Sequence, residues 1–564
     1  MDSSHRFAPT RHGVAQRVTD TTMSLATKPF AQRAALLRPT TLARAAALSL
    51  ALMSAGGASS WLPAAQAAAS ATASVAWLPA AGDADIERAF AQARAEKKPV
   101  LLYWGAKWCP PCNQLKATLF NRVDFIEQTR AIVPVHIDGD LPGAQKLGTR
   151  FKVRGYPTMI LFNPEGQELT RLPGEIDAPQ VIKVLQLGLA GGRPVKSVLA
   201  DAKAGKKLNA NEWRLLSFYS WETDEQQLVP PAELPGLLAQ LAGAAQGVDG
   251  EAGTRLWLKA VSANDNGKAL KVDAALRERV SKVLESPEQS RALMDVITNG
   301  APDIVKTLAP AAGPERTALL AQFDTVLKRL EGDASLSRGD RLQSLLARVQ
   351  LARLDVAPSE LHPKLSPALV KEVKDHAARA DREITDGYER QAVITSAAYL
   401  LGQAGQWKDS DDLLKASLSK SHSPYYLMSS LGGNAKKQGR KDEALKWYEE
   451  AFNKSEGPAT RLQWGSGYFA ALTELAPQDA ARIEKTAAQL FNEAAQDKGS
   501  FYERSARSLQ KVGSSLAKWN DKGQHDAVLS RLKTQLDGIC AKVDTADKQR
   551  ETCESLVKAP GKKA

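Results

Sequence analysis

Cys109 and Cys112 stand two residues apart in the run Trp108-Cys109-Pro110-Pro111-Cys112. Two thiols at this spacing can carry out dithiol/disulfide exchange, one attacking a disulfide and the other resolving the mixed disulfide that results. The run before them, Val100-Leu101-Leu102-Tyr103-Trp104, has the length and composition of a buried strand, and Cys109 to about Ile126 reads as helix. A strand end brings the first sulfur to the surface. A helix start then offers it unpaired N–H groups and the positive end of a dipole, both of which favour thiolate. Cys109 is therefore the expected nucleophile and Cys112, one turn into the helix, the expected resolving thiol. Pro110 and Pro111 lack N–H groups, which leaves Cys112 and Asn113 as the donors to a Cys109 thiolate. A thiolate so sparsely supported predicts a couple less oxidising than the strong oxidants, which suits a reductase or isomerase better than a primary oxidase. Half of a four-cysteine zinc site is the structural alternative, but Cys540 and Cys553 lie more than 400 residues away. Copper handling stays open, because paired thiolates suit Cu(I).

A second feature begins 42 residues beyond Cys112, where Arg154-Gly155-Tyr156-Pro157-Thr158 leads into a strand that begins at Met159. Together the two motifs resemble the thioredoxin superfamily, over about a fifth of the chain. The resemblance implies an α/β thioredoxin fold and thiol:disulfide oxidoreductase activity toward protein thiol or disulfide clients, with a separate electron donor or acceptor and no cofactor. It also implies that Pro157 is a cis-proline packed against the dithiol, that Tyr156 faces substrate, and that Trp108 flanks the nucleophile. Cytosolic members of the family carry a buried Asp beneath the resolving cysteine with a Lys beside it. Tyr103 and Pro134 stand at those positions here, so protons to and from Cys112 are expected to travel through water or another group.

The elements that must position these residues follow from periodicity. Ile86, Ala89, Phe90 and Ala93 recur at one-face helical spacing. Ile132 to Ile137 reads as strand, Leu141 to Phe151 as helix, and Met159 to Phe162 with Glu168 to Leu172 as a hairpin about the Asn163-Pro164-Glu165-Gly166 turn. Pro179 to Leu189 reads as a last helix. The expectation is a βαβ unit followed by a ββα unit over residues 83–190. His136 falls on a strand and is read as structural. Asp138-Gly139-Asp140 is read as a loop with too few oxygen ligands for calcium, and no metal site is assigned.

A chain of 564 residues exceeds one core. Residues 1–67 read as a secretory leader: a basic flank ending at Arg44, a short apolar run from Ala45 to Met53, and Ala65-Gln66-Ala67 before cleavage. Synthesis starting at Met1 and at Met23 are both compatible with this pattern. The apolar run is too short for a stable membrane span, and the leader predicts a periplasmic protein. It holds seven Lys/Arg and two Asp/Glu, so without it the net charge of +12 falls to +7. A balance that modest suits solvated helix faces and argues against a nucleic-acid partner.

Residues 68–82 are Ala-rich and read as a linker, and 559–564 as a tail. From 195 to 558 every stripe is helical, which gives a multidomain chain with an all-α tetratricopeptide-like repeat region after the α/β domain. The best repeat is 425–454, where Met428, Leu431, Gly432, Gly439, Ala444, Tyr448 and Ala451 match the repeat's spacing. Gly405 precedes Gly439 by one 34-residue period, although Ser410 and Ser417 occupy positions where alanine is expected. Stacked pairs of this kind form a concave face, read here as a client-binding array beside the dithiol; a helical scaffold with an accessory redox domain is the alternative. Cys540 and Cys553 are read as a structural disulfide closing a short loop.

Overall fold

The computed structural model describes residues 74–172, 174, 176–221, 223–264 and 270–557. The leader 1–67, the tail 559–564 and the first part of the linker lie outside the described residues. Ten elements build the N-terminal domain: β1 (Leu78–Pro79), α1 (Asp83–Glu96), β2 (Val100–Gly105), α2 (Pro110–Thr118), α3 (Val123–Thr129), β3 (Val133–Asp138), α4 (Ala144–Phe151), β4 (Thr158–Phe162), β5 (Glu168–Leu172) and α5 (Ala178–Leu189). The sheet order is β1-β3-β2-β4-β5, with β1, β3 and β2 parallel and β4 and β5 antiparallel.

β2 sits mid-sheet and is buried along its whole length. Its residues alternate between two cores. Leu101 and Tyr103 meet Leu115, Leu119, Phe125 and Val181 from α2, α3 and α5. Val100, Leu102 and Trp104 meet Ile86, Phe90 and Leu147 from α1 and α4. A strand covered by helices on both faces needs an unbroken apolar run, and this one carries the dithiol at its exit.

Two expectations change. The stretch read as linker contributes β1, whose Leu78 and Pro79 pair with Val135 and His136. A proline fits there because an edge strand leaves one row of N–H groups unpaired, and Ala-rich composition hid the pairing. The single helix expected from Cys109 to about Ile126 is two helices. Leu119 is fully buried and the next residue, Phe120, packs its ring on Tyr103 and Phe125. Turning both adjacent side chains toward this core takes the backbone out of the helix.

Beyond Leu172 the described residues hold helices and no strand, and no described helix is long and apolar enough to cross a membrane. The break at Gly191-Gly192-Arg193-Pro194 separates helices but not cores. Leu215 and Phe218, from the Ala210–Phe218 helix, complete the core beneath β2 and β4, and Ser220 N–H donates to the Arg171 carbonyl at 3.0 Å. In the stretch that reads best as a repeat, Pro424–Lys437 and Lys441–Lys454 pack as a pair. A Cβ on Gly432 would lie 3.0 Å from the Tyr448 ring. Gly405 and Gly439 share a left-handed φ of 74° and 73° at equivalent turns. Ser410 is tolerated where alanine is expected because its hydroxyl donates to the Ala398 carbonyl at 2.7 Å.

Cys540 and Cys553 are disulfide-bonded, with Cα atoms 5.6 Å apart, and both are buried beside Leu509, Val512 and Leu516. Closing a loop of this length contributes about 3 kcal/mol through the unfolded chain. The Cys540→Ser, Cys553→Ser protein is expected to melt at lower temperature with unchanged exchange activity. Lost turnover at unchanged melting would instead assign the pair a redox task.

Candidate functional site

Cys109 is the N-cap of α2, and Pro110 and Pro111 are its first two residues. Prolines are tolerated there because these N–H groups have no partner inside the helix. The sulfur of Cys109 accepts from Cys112 N–H at 3.2 Å. Asn113 N–H, expected as a second donor to sulfur, instead donates to the Cys109 carbonyl at 3.0 Å, in the ordinary i to i−4 helical pattern. One backbone donor therefore supports the sulfur, one fewer than the sequence suggested. The Asn113 amide also ties the motif together by donating to the carbonyls of Lys107 and Cys109, each at 2.9 Å. Cys109 and Cys112 are joined as a disulfide.

The Tyr156–Pro157 bond is cis. Tyr156 lies against Gly139, where a Cβ would fall 2.2 Å from the phenol oxygen, so any larger residue there would displace the Tyr156 ring. The Tyr156 hydroxyl accepts from Gln145 Nε2 at 3.1 Å, and burial pushes its pKa up.

The surroundings of the pair are not visible in local sequence. Cys109 is 2% exposed, Cys112 fully buried and Trp108 9% exposed, because helices from far down the chain cover them. Trp108 stacks on Tyr426 at 6.0 Å between ring centroids and meets Trp464 edge-on at 4.9 Å. Tyr425, Met428 and Ala451 complete the apolar cup. The Gly387–Gln403 helix packs along α2, and its Gln391 donates to the Trp108 carbonyl at 3.3 Å.

One carboxylate fastens this cover. Asp140, in the loop after β3, accepts from Trp108 Nε1 at 3.1 Å, from the Thr460 hydroxyl and from the Arg504 guanidinium. Arg504 is largely buried between the Trp108 and Tyr156 rings, 5.2 Å from each centroid, a cation–π arrangement. Burial alone would lower its pKa; the charge of Asp140 and the nearby Tyr156 outweigh that and raise it. Arg504 N–H donates to Gln145 at 2.9 Å, and Arg507 donates to the Arg154 carbonyl at 2.8 Å, beside the cis-proline loop. The helical region, read as presenting clients, thus holds the chain's own dithiol. Asp140, Gln391, Trp464 and Arg504 are the site residues that sequence reasoning missed.

Where the family's buried Asp is absent, Tyr103 is fully buried, with a hydroxyl that has no hydrogen-bond partner, and it stacks on His136 at 5.0 Å. Asp138 ends β3 opposite Gly105, and burial raises its carboxyl pKa. Lys116 lies one turn beyond Cys112 on α2; burial lowers its pKa, partly offset by Asp138. A carboxyl and an amine therefore survive in this region, contributed by other positions.

His136 gives a pH prediction. Burial, with repulsion from Lys116, pushes its imidazole down to about 4 from 6.5. The unfolded chain then binds a proton that the folded chain refuses, so stability falls as pH drops from about 6.5 to about 4, by on the order of 3 kcal/mol in full. His136→Phe keeps a ring on Tyr103 and is expected to flatten that part of the curve of Tm against pH. An unchanged slope would remove His136 from the account.

Residues 86–188 match the family model described as a thioredoxin-like domain. The thiol:disulfide interchange protein DsbD 2 of Pseudomonas aeruginosa is 33% identical over 99 residues, which is 17% of this chain and 17% of that protein. The chain therefore spans about a sixth of the length of such relatives. A thioredoxin of Thermus thermophilus solved in solution is 27% identical, covering 20% of this chain and 85% of that one, with a TM-score of 0.18. A thioredoxin-like protein of Synechocystis is 34% identical over 90 residues, 16% of this chain and 81% of its own length. The matched stretch 86–188 spans the sheet from β2 to β5, the Cys109–Cys112 pair and the cis-proline, and through it the chain belongs to the thioredoxin-like family.

Proposed function

We propose that this protein is an exported thiol:disulfide oxidoreductase, of reductase or isomerase type, in which the helical region covers the dithiol between turnovers. The observation that carries the reading is Cys109 as N-cap of α2, its sulfur facing a single N–H donor, with Cys112 bonded to it. In the reducing direction the Cys109 thiolate attacks a client disulfide and one client sulfur leaves as thiolate. Cys112 then attacks Cys109 sulfur, releasing the second client thiol and restoring the Cys109–Cys112 disulfide. Two electrons pass to the client, and a separate donor returns them.

Export to the periplasm rests on the residue pattern from Arg44 to Ala67, and a mature N-terminus at Ala68 is the result that N-terminal sequencing should give. The tetratricopeptide-like reading is supported by the Gly432–Tyr448 packing and by the matching turns at Gly405 and Gly439. Burial of the pair favours a second reading, in which the helices are a scaffold and the disulfide only a staple. Insulin reduction by the full chain, with its loss in Cys109→Ser, supports the first reading; equal activity, or none in either protein, supports the second.

A further inference from the structure

A basic cavity far along the chain from the dithiol has no part in the redox chemistry. It has a volume of about 640 Å³ and lies between the Arg338–Ala352 and Pro367–Glu383 helices, with the end of the Pro314–Gly332 helix at one side. Its wall holds five permanent cations and three carboxylates, and most of these are already engaged with one another. Arg348 holds Glu331 at 2.7 Å and Glu372 at 2.6 Å, and His376 also reaches Glu331, at 2.8 Å. Lys328 is held by Asp324 at 2.7 Å, and Glu383 faces Arg382 at 3.1 Å.

Three guanidinium groups remain. Arg338 has Glu389 at 3.5 Å, longer than a charge-assisted hydrogen bond. Arg341 Nε is buried with no hydrogen-bond partner, and neither Arg341 nor Arg379 has a carboxylate within 4.0 Å among the described residues. Of the nearby acids, Asp333 is held by Arg291 at 3.1 Å and Asp340 caps its own helix. Burial, and then the charges of Arg338 and Arg379, lower the Arg341 pKa. Like charges gathered around a cavity with an unsatisfied buried donor form a cradle for an anion. A planar donor fork from each arginine matches the several oxygens of a phosphate group better than the two of a carboxylate. Leu342, Ala380 and Val393 supply apolar wall beside the cations.

We propose that Arg338, Arg341 and Arg379 form a binding site for a phosphate group, carried by a small organic monoester or free in solution. The test is calorimetric titration of the full, disulfide-intact chain at low salt with inorganic phosphate, phenyl phosphate and citrate. Phenyl phosphate should bind at one site per chain. Arg379→Gln, a change at an exposed side chain, should weaken it at least about tenfold, as should Arg341→Gln, with insulin reduction unaltered. Phenyl phosphate tighter than inorganic phosphate identifies an ester as the ligand, and equal affinity identifies the free anion. Tighter binding of citrate, binding unchanged in Arg379→Gln, or no heat with either phosphate would overturn the proposal. A circular dichroism spectrum matching wild type establishes that each variant is folded.

Discussion

Cys109→Ser is expected to lower insulin reduction at least about a thousandfold, to the background of the reductant alone. A serine hydroxyl at neutral pH cannot replace a thiolate, and loss of a nucleophile removes the whole route rather than one increment of it. Cys112→Ser should behave differently: it retains the first attack, loses resolution, and accumulates a mixed disulfide at Cys109. Substitution of Cys112 also exchanges a buried sulfur for a hydroxyl, so melting temperature should be followed alongside. An adduct on Cys112 in Cys109→Ser, with none on Cys109 in Cys112→Ser, would reverse the assigned roles.

The second large effect concerns the cover. With Cys109 2% exposed, exchange with any protein client requires the helical region to move away from Trp108. Arg504→Gln removes the cation that faces Asp140 and leaves a half-satisfied carboxylate at a buried contact, a change that costs about 2–4 kcal/mol in comparable buried pairs. If that cost falls on the closed arrangement alone, the open population rises about 30- to 700-fold, since about 1.4 kcal/mol is a factor of ten. Trp464→Ala acts on the same contact by removing a ring packed on both Trp108 and Tyr425. Both reduced variants should therefore react with a thiol-specific disulfide reagent at least about ten times faster than reduced wild type. Equal rates in folded variants would mean that the dithiol reacts without the cover opening.

The parts of the site that were legible in sequence are those made by neighbours in the chain. A strand, two cysteines and a helix start are contiguous, so Cys109 and Cys112 follow from local pattern. Pro157 was legible for a different reason, the resemblance of the Tyr156-Pro157 motif before a strand to the thioredoxin superfamily. The Asn163-Pro164-Glu165-Gly166 turn likewise announces its own hairpin, and Gly166 takes the left-handed φ of 85° there.

Asp140 meets Thr460 and Arg504 across more than 300 residues, and nothing in the periodicity of either segment marks them as partners. Tyr425, Tyr426 and Trp464 look like ordinary helix core, and they are core, except that the surface they bury belongs to the other domain. The linker failed for a related reason. Leu78 and Pro79 carry too little alternation to signal a strand and become one through β3. Sequence exposes the chemistry of the pair because that chemistry is local, and conceals its cover because the cover is assembled from distant turns.

The central claim, that Cys109 and Cys112 form a working redox couple, is tested most directly by equilibrating the full chain in thiol/disulfide buffers of graded potential and counting labelled cysteines by mass. The account predicts a two-electron transition at Cys109 and Cys112, with a potential below about −180 mV and well short of the about −120 mV of a strong oxidant, because one N–H supports the thiolate. Cys540–Cys553 should stay oxidised across the same range. A Cys109–Cys112 pair that resists reduction together with Cys540–Cys553 would contradict the account and make both disulfides structural.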